Sequence, residues 1–179
     1  MQIHVTHFPL HPSVPPEGLL YTQLFAGRGF DIPTMMRQMQ ARMAAEGLVY
    51  KLPRDRTFNT GRAQQLSIWA RENGHPSLDD ALFRAVFSEG RNVYELPVLL
   101  DLVAADGLPV DDARAALEEG RHAAQVQADH SRARALGVTG VPTYVVEEPG
   151  TGRLRGVVGA QPYEVLVQLA KAAGAQPRG

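Results

Sequence analysis

The chain contains no cysteine. That absence excludes disulfides, thiolate metal sites and every reaction in which a protein thiol is the nucleophile. Lysine is confined to Lys51 and Lys171, and arginine supplies the rest of the positive charge. No apolar run approaches the roughly 18–20 residues that cross a bilayer. The start, Met1-Gln2-Ile3-His4-Val5-Thr6-His7, lacks the charged and apolar pattern of a secretory signal. A cytoplasmic location follows as the default expectation. With a formal net charge of −1 the chain has no basic field to attract nucleic acid or an anionic membrane, so neither is expected as a partner. No phosphate-binding glycine loop, nucleotide fingerprint or Ser-His-Asp ordering rises above chance. Nothing implies a cofactor.

What is present suits a folded domain. At 179 residues, 44% of them hydrophobic, the chain is long and apolar enough to bury its own core. Ile3 and Val5 alternate with polar residues before Phe8, a short β pattern that ends in Pro9, Pro12, Pro15 and Pro16. Helical signals then dominate. Asp31-Ile32-Pro33 reads as a helix start and Gly47 as its stop. Ser77-Leu78-Asp79-Asp80 has the form of a capping box, opening a helix through Phe83 and Phe87 to Gly90. Helices are expected over Glu95 to Ala105, Asp111 to Glu119 and Arg121 to Leu136. Periodicity switches after that point. Val141 to Val146 and Leu154 to Val158 read as strands of an antiparallel hairpin, joined by Glu148-Pro149-Gly150-Thr151-Gly152. Pro162 and Gly174 bracket a closing helix from Tyr163 to Ala173. One strand, a helical block, a hairpin and a last helix suggest a single α/β domain with a helical insertion over about 19–136.

In their order along the chain, four segments resemble the DsbA-like family, specifically its FrnE-like branch of dithiol–disulfide oxidoreductases. They are Phe8-Pro9-Leu10-His11-Pro12 with Pro15-Pro16-Glu17-Gly18; Asn59-Thr60 followed by Ala63, Leu66 and Ala70; Phe87-Ser88-Glu89-Gly90-Arg91-Asn92; and Gly137-Val138-Thr139-Gly140-Val141-Pro142-Thr143 with Gly159-Ala160-Gln161-Pro162. One small departure is Gln64, where the family usually has histidine. The resemblance implies a thioredoxin-like, DsbA-type sheet with a large helical insertion. It also implies a first strand, and the Cys-x-x-Cys start of the active-site helix, that are missing before Met1. We expect an upstream segment that the given sequence omits. Otherwise residues Ile3 to Phe8 fill the vacant sheet position, or a homodimer completes the sheet.

By the same resemblance Gly137 to Thr143 is a cis-proline loop. Val141 would offer its N–H and C=O to an extended polypeptide or a glutathione-like thiol, Pro142 would hold the turn, and Thr143 would begin the strand. Phe8 and Asn59 complete the expected substrate-binding set, Asn59 as a helix cap facing the groove. No catalytic residue is assigned. Each feature also has a plainer reading. The residues alone read Pro142 as a trans proline beginning a strand, and the match through Thr139 to Thr143 reverses that in favour of cis; Asn59-Thr60 reads as an ordinary N-cap. The stripe Met35 or Met36, Met39 and Met43 reads as the buried face of an amphipathic helix, with an adaptable apolar groove as the alternative. His4, His7 and His11 do not form a metal site, because residues 4 and 7 of a strand face opposite ways and no Asp or Glu follows until Glu17. His122 and His130 read as solvated, and Asp111-Asp112 as favourable charge at a helix start.

The family exchanges disulfides, and this chain has no sulfur with which to form the mixed disulfide. The expectation is a redox-inactive family member that at most binds extended peptide or glutathione at the loop. Two alternatives stand beside it. One is a kappa-class glutathione transferase or hydroxychromene-carboxylate isomerase-like protein, which would use the ligand's thiol. The other is a non-catalytic peptide-binding module.

Overall fold

A computed structural model describes residues 3–176. Internal packing divides the chain into two compact units. One is His11–Gln127; the other combines the residues up to Leu10 with Ala128 onward.

In the first unit, strand β1 (Leu19–Leu20) pairs antiparallel with β2 (Arg56–Thr57), Leu19 opposite Thr57. Between them lie α1 (Tyr21–Leu24) and α2 (Ile32–Ala45). The punctuation of α2 follows the sequence closely. Asp31 Oδ1 accepts the Thr34 N–H at 3.1 Å, and Gly47, at φ 72°, ends the helix. There the N–H groups of Gly47 and Leu48 return to Ala44 and Met43 carbonyls, a Schellman closure that a side chain at Gly47 would strain.

The core is made by α3 (Gly61–Glu72), α4 (Leu78–Arg84), α5 (Leu96–Ala105) and α6 (Val110–Glu118). Leu66, Leu78, Val93, Leu99 and Val103 are its largest fully buried side chains, each stabilising by about 1.5–3 kcal/mol relative to exposure. Trp69 crosses from α3 to α6, its Nε1–H donating to Asp112 Oδ2 at 2.8 Å. Arg121 donates to the other oxygen at 2.8 Å. Those two hydrogen bonds, Arg121 first, hold the Asp112 carboxyl below the usual range. Asp112 was expected as dipole charge, and it is also the acceptor for a buried indole.

A π-helical turn, Ala85–Glu89, continues α4. Carbonyls of this turn are taken up by the segment after α2. The Arg54 guanidinium bonds Val86 O and lies 5.3 Å from the Phe87 ring centroid. Lys51 Nζ donates to Glu89 O at 2.7 Å.

Helix α7 (Ala123–Ala135) leads into the second unit. There β3 (Thr143–Glu147) and β4 (Leu154–Val158) form an antiparallel hairpin, Thr143 opposite Val158 and Glu147 opposite Leu154. The closing α8 (Tyr163–Ala172) packs against β3.

Three expectations need correction. Ile3 to Phe8 belongs to no strand among the described residues; alternation marks which side chains could face a core, and a strand also needs a neighbouring edge to bond. The Ser77 capping box does not form. Ser77 has helical φ and ψ of −61° and −24°, which turn its hydroxyl from the first N–H groups to Asp106 Oδ2 at 3.2 Å. The methionine stripe is not a buried face. Met36 alone of the four is buried and Met39 is 44% exposed, because α2 contributes nothing to the main core cluster.

Candidate functional site

The loop before β3 is built from the end of α7 outward. Gly137, at φ 73°, lets the chain reverse, while its N–H bonds Arg134 O at 2.9 Å and that of Val138 bonds Ala133 O at 3.0 Å. A β-carbon at Gly140 would lie 3.4 Å from Val158 Cγ1, so the loop lies within contact distance of β4. The Val141–Pro142 peptide bond is cis, as is Leu52–Pro53 in the other unit. Thr143 Oγ1 donates to Gly140 O at 2.6 Å, and the Gly159 N–H donates to Pro142 O at 2.7 Å. The loop is therefore tied at both ends. Val141 between those ties is 45% exposed, and among the described residues its N–H and C=O have no hydrogen-bond partner. Pairing begins two residues later than the sequence suggested, at Thr143.

One face of the hairpin carries Thr143, Val145, Glu147, Leu154, Gly156 and Val158, by the alternation of the observed register. All of these but Glu147, with Val138, Leu136 and Arg155 among others, line a hollow of about 250 Å³. Val145, Leu154 and Val158 are 37%, 53% and 54% exposed, so the aliphatic side chains of this face are open. Gly156 makes the dip: a β-carbon there would sit 3.1 Å from the Tyr144 carbonyl oxygen. Sequence reasoning passed over Gly156, although a glycine inside a strand pattern is a known sign of close approach.

The other expected site residues are distributed as follows. Phe8 is half-buried and lies in the same unit as the loop. Asn59 lies in the helical unit. It precedes the cap of α3, which is Thr60, by one residue. Its Nδ2 donates to Val14 O at 2.7 Å and its Oδ1 accepts the Gly61 N–H at 2.8 Å. The stripe expected after it, Ala63, Leu66 and Ala70, is buried. A larger hollow of about 530 Å³ runs beside α2, lined by Arg37, Gln40, Ala44, Leu48 and Tyr50 among others, and by no methionine.

The histidines differ from their expected surroundings. His7 bonds Asp129, a partner 122 positions away that inspection of neighbouring residues could not supply. His130 is 7% exposed rather than solvated, and burial, then Arg134 and His7, hold its pKa below the ordinary value. The His122 side chain is 13% exposed, 3.7 Å from Glu72. His11 meets Phe25 edge-on at 6.2 Å, with its pKa lowered by burial and by Arg28. Among the described residues no three His, Asp or Glu side chains converge as metal ligands. No helix of the described residues is long and apolar enough to cross a membrane.

An X–Pro loop tied to the start of a hairpin, a closing helix, and a helical block inserted ahead of them define a thioredoxin-like scaffold of the α/β class. Residues 1–171 match the family model described as a DSBA-like thioredoxin domain, and the chain belongs to that family. It is 33% identical to a Streptomyces coelicolor protein described as a "probable DsbA oxidoreductase", with a TM-score of 0.80 over 97% of this chain and 76% of that one. A structure from Nitrosomonas europaea described as a "putative protein disulfide isomerase" shares the fold, with 19% identity and a TM-score of 0.66 over 88% of this chain and 76% of that one. No curated protein matches significantly.

Proposed function

We propose that this polypeptide binds extended peptide or a glutathione-like thiol at the Val141–Thr143 loop and does not itself exchange disulfides. The observation that carries the second half is the complete lack of cysteine in a member of a thiol-oxidoreductase family. Disulfide exchange proceeds through a protein thiolate and a mixed disulfide, and no side chain here forms one. The first half is supported by the unpaired backbone of Val141 and by the outer edge of β3, which pairs with β4 alone among the described residues. An extended ligand adds its own N–H and C=O groups to such an edge, with side-chain pockets giving selectivity. The hollow around Gly156 is a recess of mixed polarity on that hairpin.

Two measurements test the reading. Purified chain should give no acceleration of insulin disulfide reduction by a small thiol above the protein-free rate; turnover would refute the inactive half. A fluorescent extended peptide should bind saturably in polarisation titrations, and Val141→Pro, which removes the donor N–H outside the hairpin ladder, should weaken it. One hydrogen bond contributes about 0.5–1.5 kcal/mol, so the expected loss is roughly twofold to thirteenfold. Equal affinity in both proteins would remove the loop from the binding site. The FrnE-like branch and a cytoplasmic location belong to this same reading.

A further inference from the structure

Of the 14 residues of α2 only Met36 is buried, and the Tyr50 hydroxyl donates to its sulfur at 3.1 Å. A helix of this length is marginal in water without an apolar face packed against a neighbour. Beside that anchor runs the hollow of about 530 Å³, with Arg37, Ala41 and Ala44 on α2 and Leu48 and Val49 beyond its end. The three helical positions are spaced by four and three, so they make one stripe. Leu48 and Val49 are 57% and 66% exposed. Tyr50 also lines the hollow, and from its ring a stacked row runs through Phe87 to Phe83, with centroids 6.3 Å apart at each step. Phe83 is 63% exposed. An open apolar surface of this kind marks a contact with something else.

The charge on this face is unbalanced. Residues 32–51 carry Arg37, Arg42 and Lys51 against Glu46 alone, in a chain whose net charge is −1. The Arg37 guanidinium donates to the uncharged Thr34 Oγ1 at 2.8 Å, and Lys51 Nζ donates to a carbonyl, Glu89 O. Asp31, the N-cap, has both carboxylate oxygens on Thr34. Among the described residues none of the three cations pairs with a carboxylate. Arginine, methionine and aromatic side chains are also the residues enriched where proteins meet.

We propose that this face of α2 docks an acidic amphipathic helix of a partner protein. The partner's apolar side chains, themselves spaced by three and four, lie over Ala41, Ala44 and Leu48, and a carboxylate meets Arg37. The small side chains at 41 and 44 let a second helix axis come close. Two other occupants fit less well. An extended strand gains no ladder here, because a helix bonds its own N–H and C=O groups. A second copy of this chain sets the same uncompensated cations against one another. The face belongs to the His11–Gln127 unit and Val141 to the other, so docking here does not depend on binding at the loop.

The test is fluorescence polarisation on the full chain with a labelled synthetic helix of about 18 residues, long enough to fold on contact. It carries leucines at spacings of three and four and glutamates beside them. Two control peptides replace every glutamate with lysine, or place prolines in mid-helix. The glutamate peptide should bind saturably and at least about tenfold more tightly than either control, and its advantage over lysine should shrink as salt is raised. Ala44→Glu puts like charge and bulk into the hollow and should weaken binding at least about fivefold. Arg37→Ala should reduce the preference for glutamate over lysine. Both positions are exposed, so the urea midpoint read from Trp69 should stay where it is. No saturable binding, equal affinity for the lysine or proline peptide, or undiminished binding by Ala44→Glu would overturn the docking. If Ala44→Glu shifts the urea midpoint, Arg37→Ala decides, and an unchanged preference there overturns it as well. Sedimentation of the chain alone addresses the second copy: dimerisation that Ala44→Glu abolishes would give the face to that copy and sink the proposal.

Discussion

Replacing Leu66 with alanine removes Cγ and both δ-methyl groups from a side chain with no exposed surface. Leu66 lies in the centre of α3, within the cluster that joins α3, α4, α5 and α6. Three carbons at about 0.8 kcal/mol each give a transfer loss near 2.4 kcal/mol. The void left behind adds to this in proportion to its volume, because close-packed helices relax only partly, and the expected total is about 3–5 kcal/mol. Trp69 lies one turn along the same helix, is 2% exposed and is the chain's single tryptophan. Its fluorescence during urea unfolding therefore reports on the helical unit. With a denaturant slope of about 2 kcal/mol/M, the midpoint should fall by roughly 1.5–2.5 M, with the slope unchanged. Met39→Ala on α2 is the control: its side chain is 44% exposed, and the expected change is within about 0.5 kcal/mol. If Leu66→Ala costs less than about 1 kcal/mol, or no more than the control, the core does not lie where the packing puts it.

Asp112→Ala should shift Trp69 emission by leaving the indole N–H without its acceptor, whereas Asp112→Asn, which keeps an oxygen, should shift it less; equal spectra would separate the two groups in solution. Because Asp112 is held below its ordinary 3.8, its contact should persist through that pH and be lost only as pH falls through the lower folded value, observed as an acid-range change in the same emission. Asn59→Ala removes the bonds to Val14 O and Gly61 N–H and should cost about 1–2 kcal/mol in the same urea assay; no loss would mean that the 11–18 segment is not anchored there.

Much of the architecture could be read locally. The bounds of α2 were marked by Asp31, Pro33 and Gly47, and those of α8 by Pro162 and Gly174, because caps and positive-φ glycines act within a few residues. The hairpin was legible from the change of period after Gly140. Failures occurred where a distant group decided the outcome. Ser77 has the right letter for a cap, but its backbone is helical and Asp106 receives its hydroxyl. Met35 to Met43 repeat at helical spacing without a layer of core helices to cover them. For the candidate site, the loop was found by resemblance, whereas the hollow at Gly156 depends on which face of the hairpin stays open.

By itself the sequence determined the helical order, the hairpin, the membership suggested by Gly137 to Thr143, and the chemistry that is impossible without a thiol. Each of these depends on short-range sterics or on composition, which need no knowledge of distant neighbours. Only the tertiary structure decided that Asp112 serves Trp69, that Asp129 clasps His7, and that His130 is shielded from water. Hydrogen-bond partners and burial are properties of what the folded chain brings together, and a residue's identity fixes only what it is able to donate or accept.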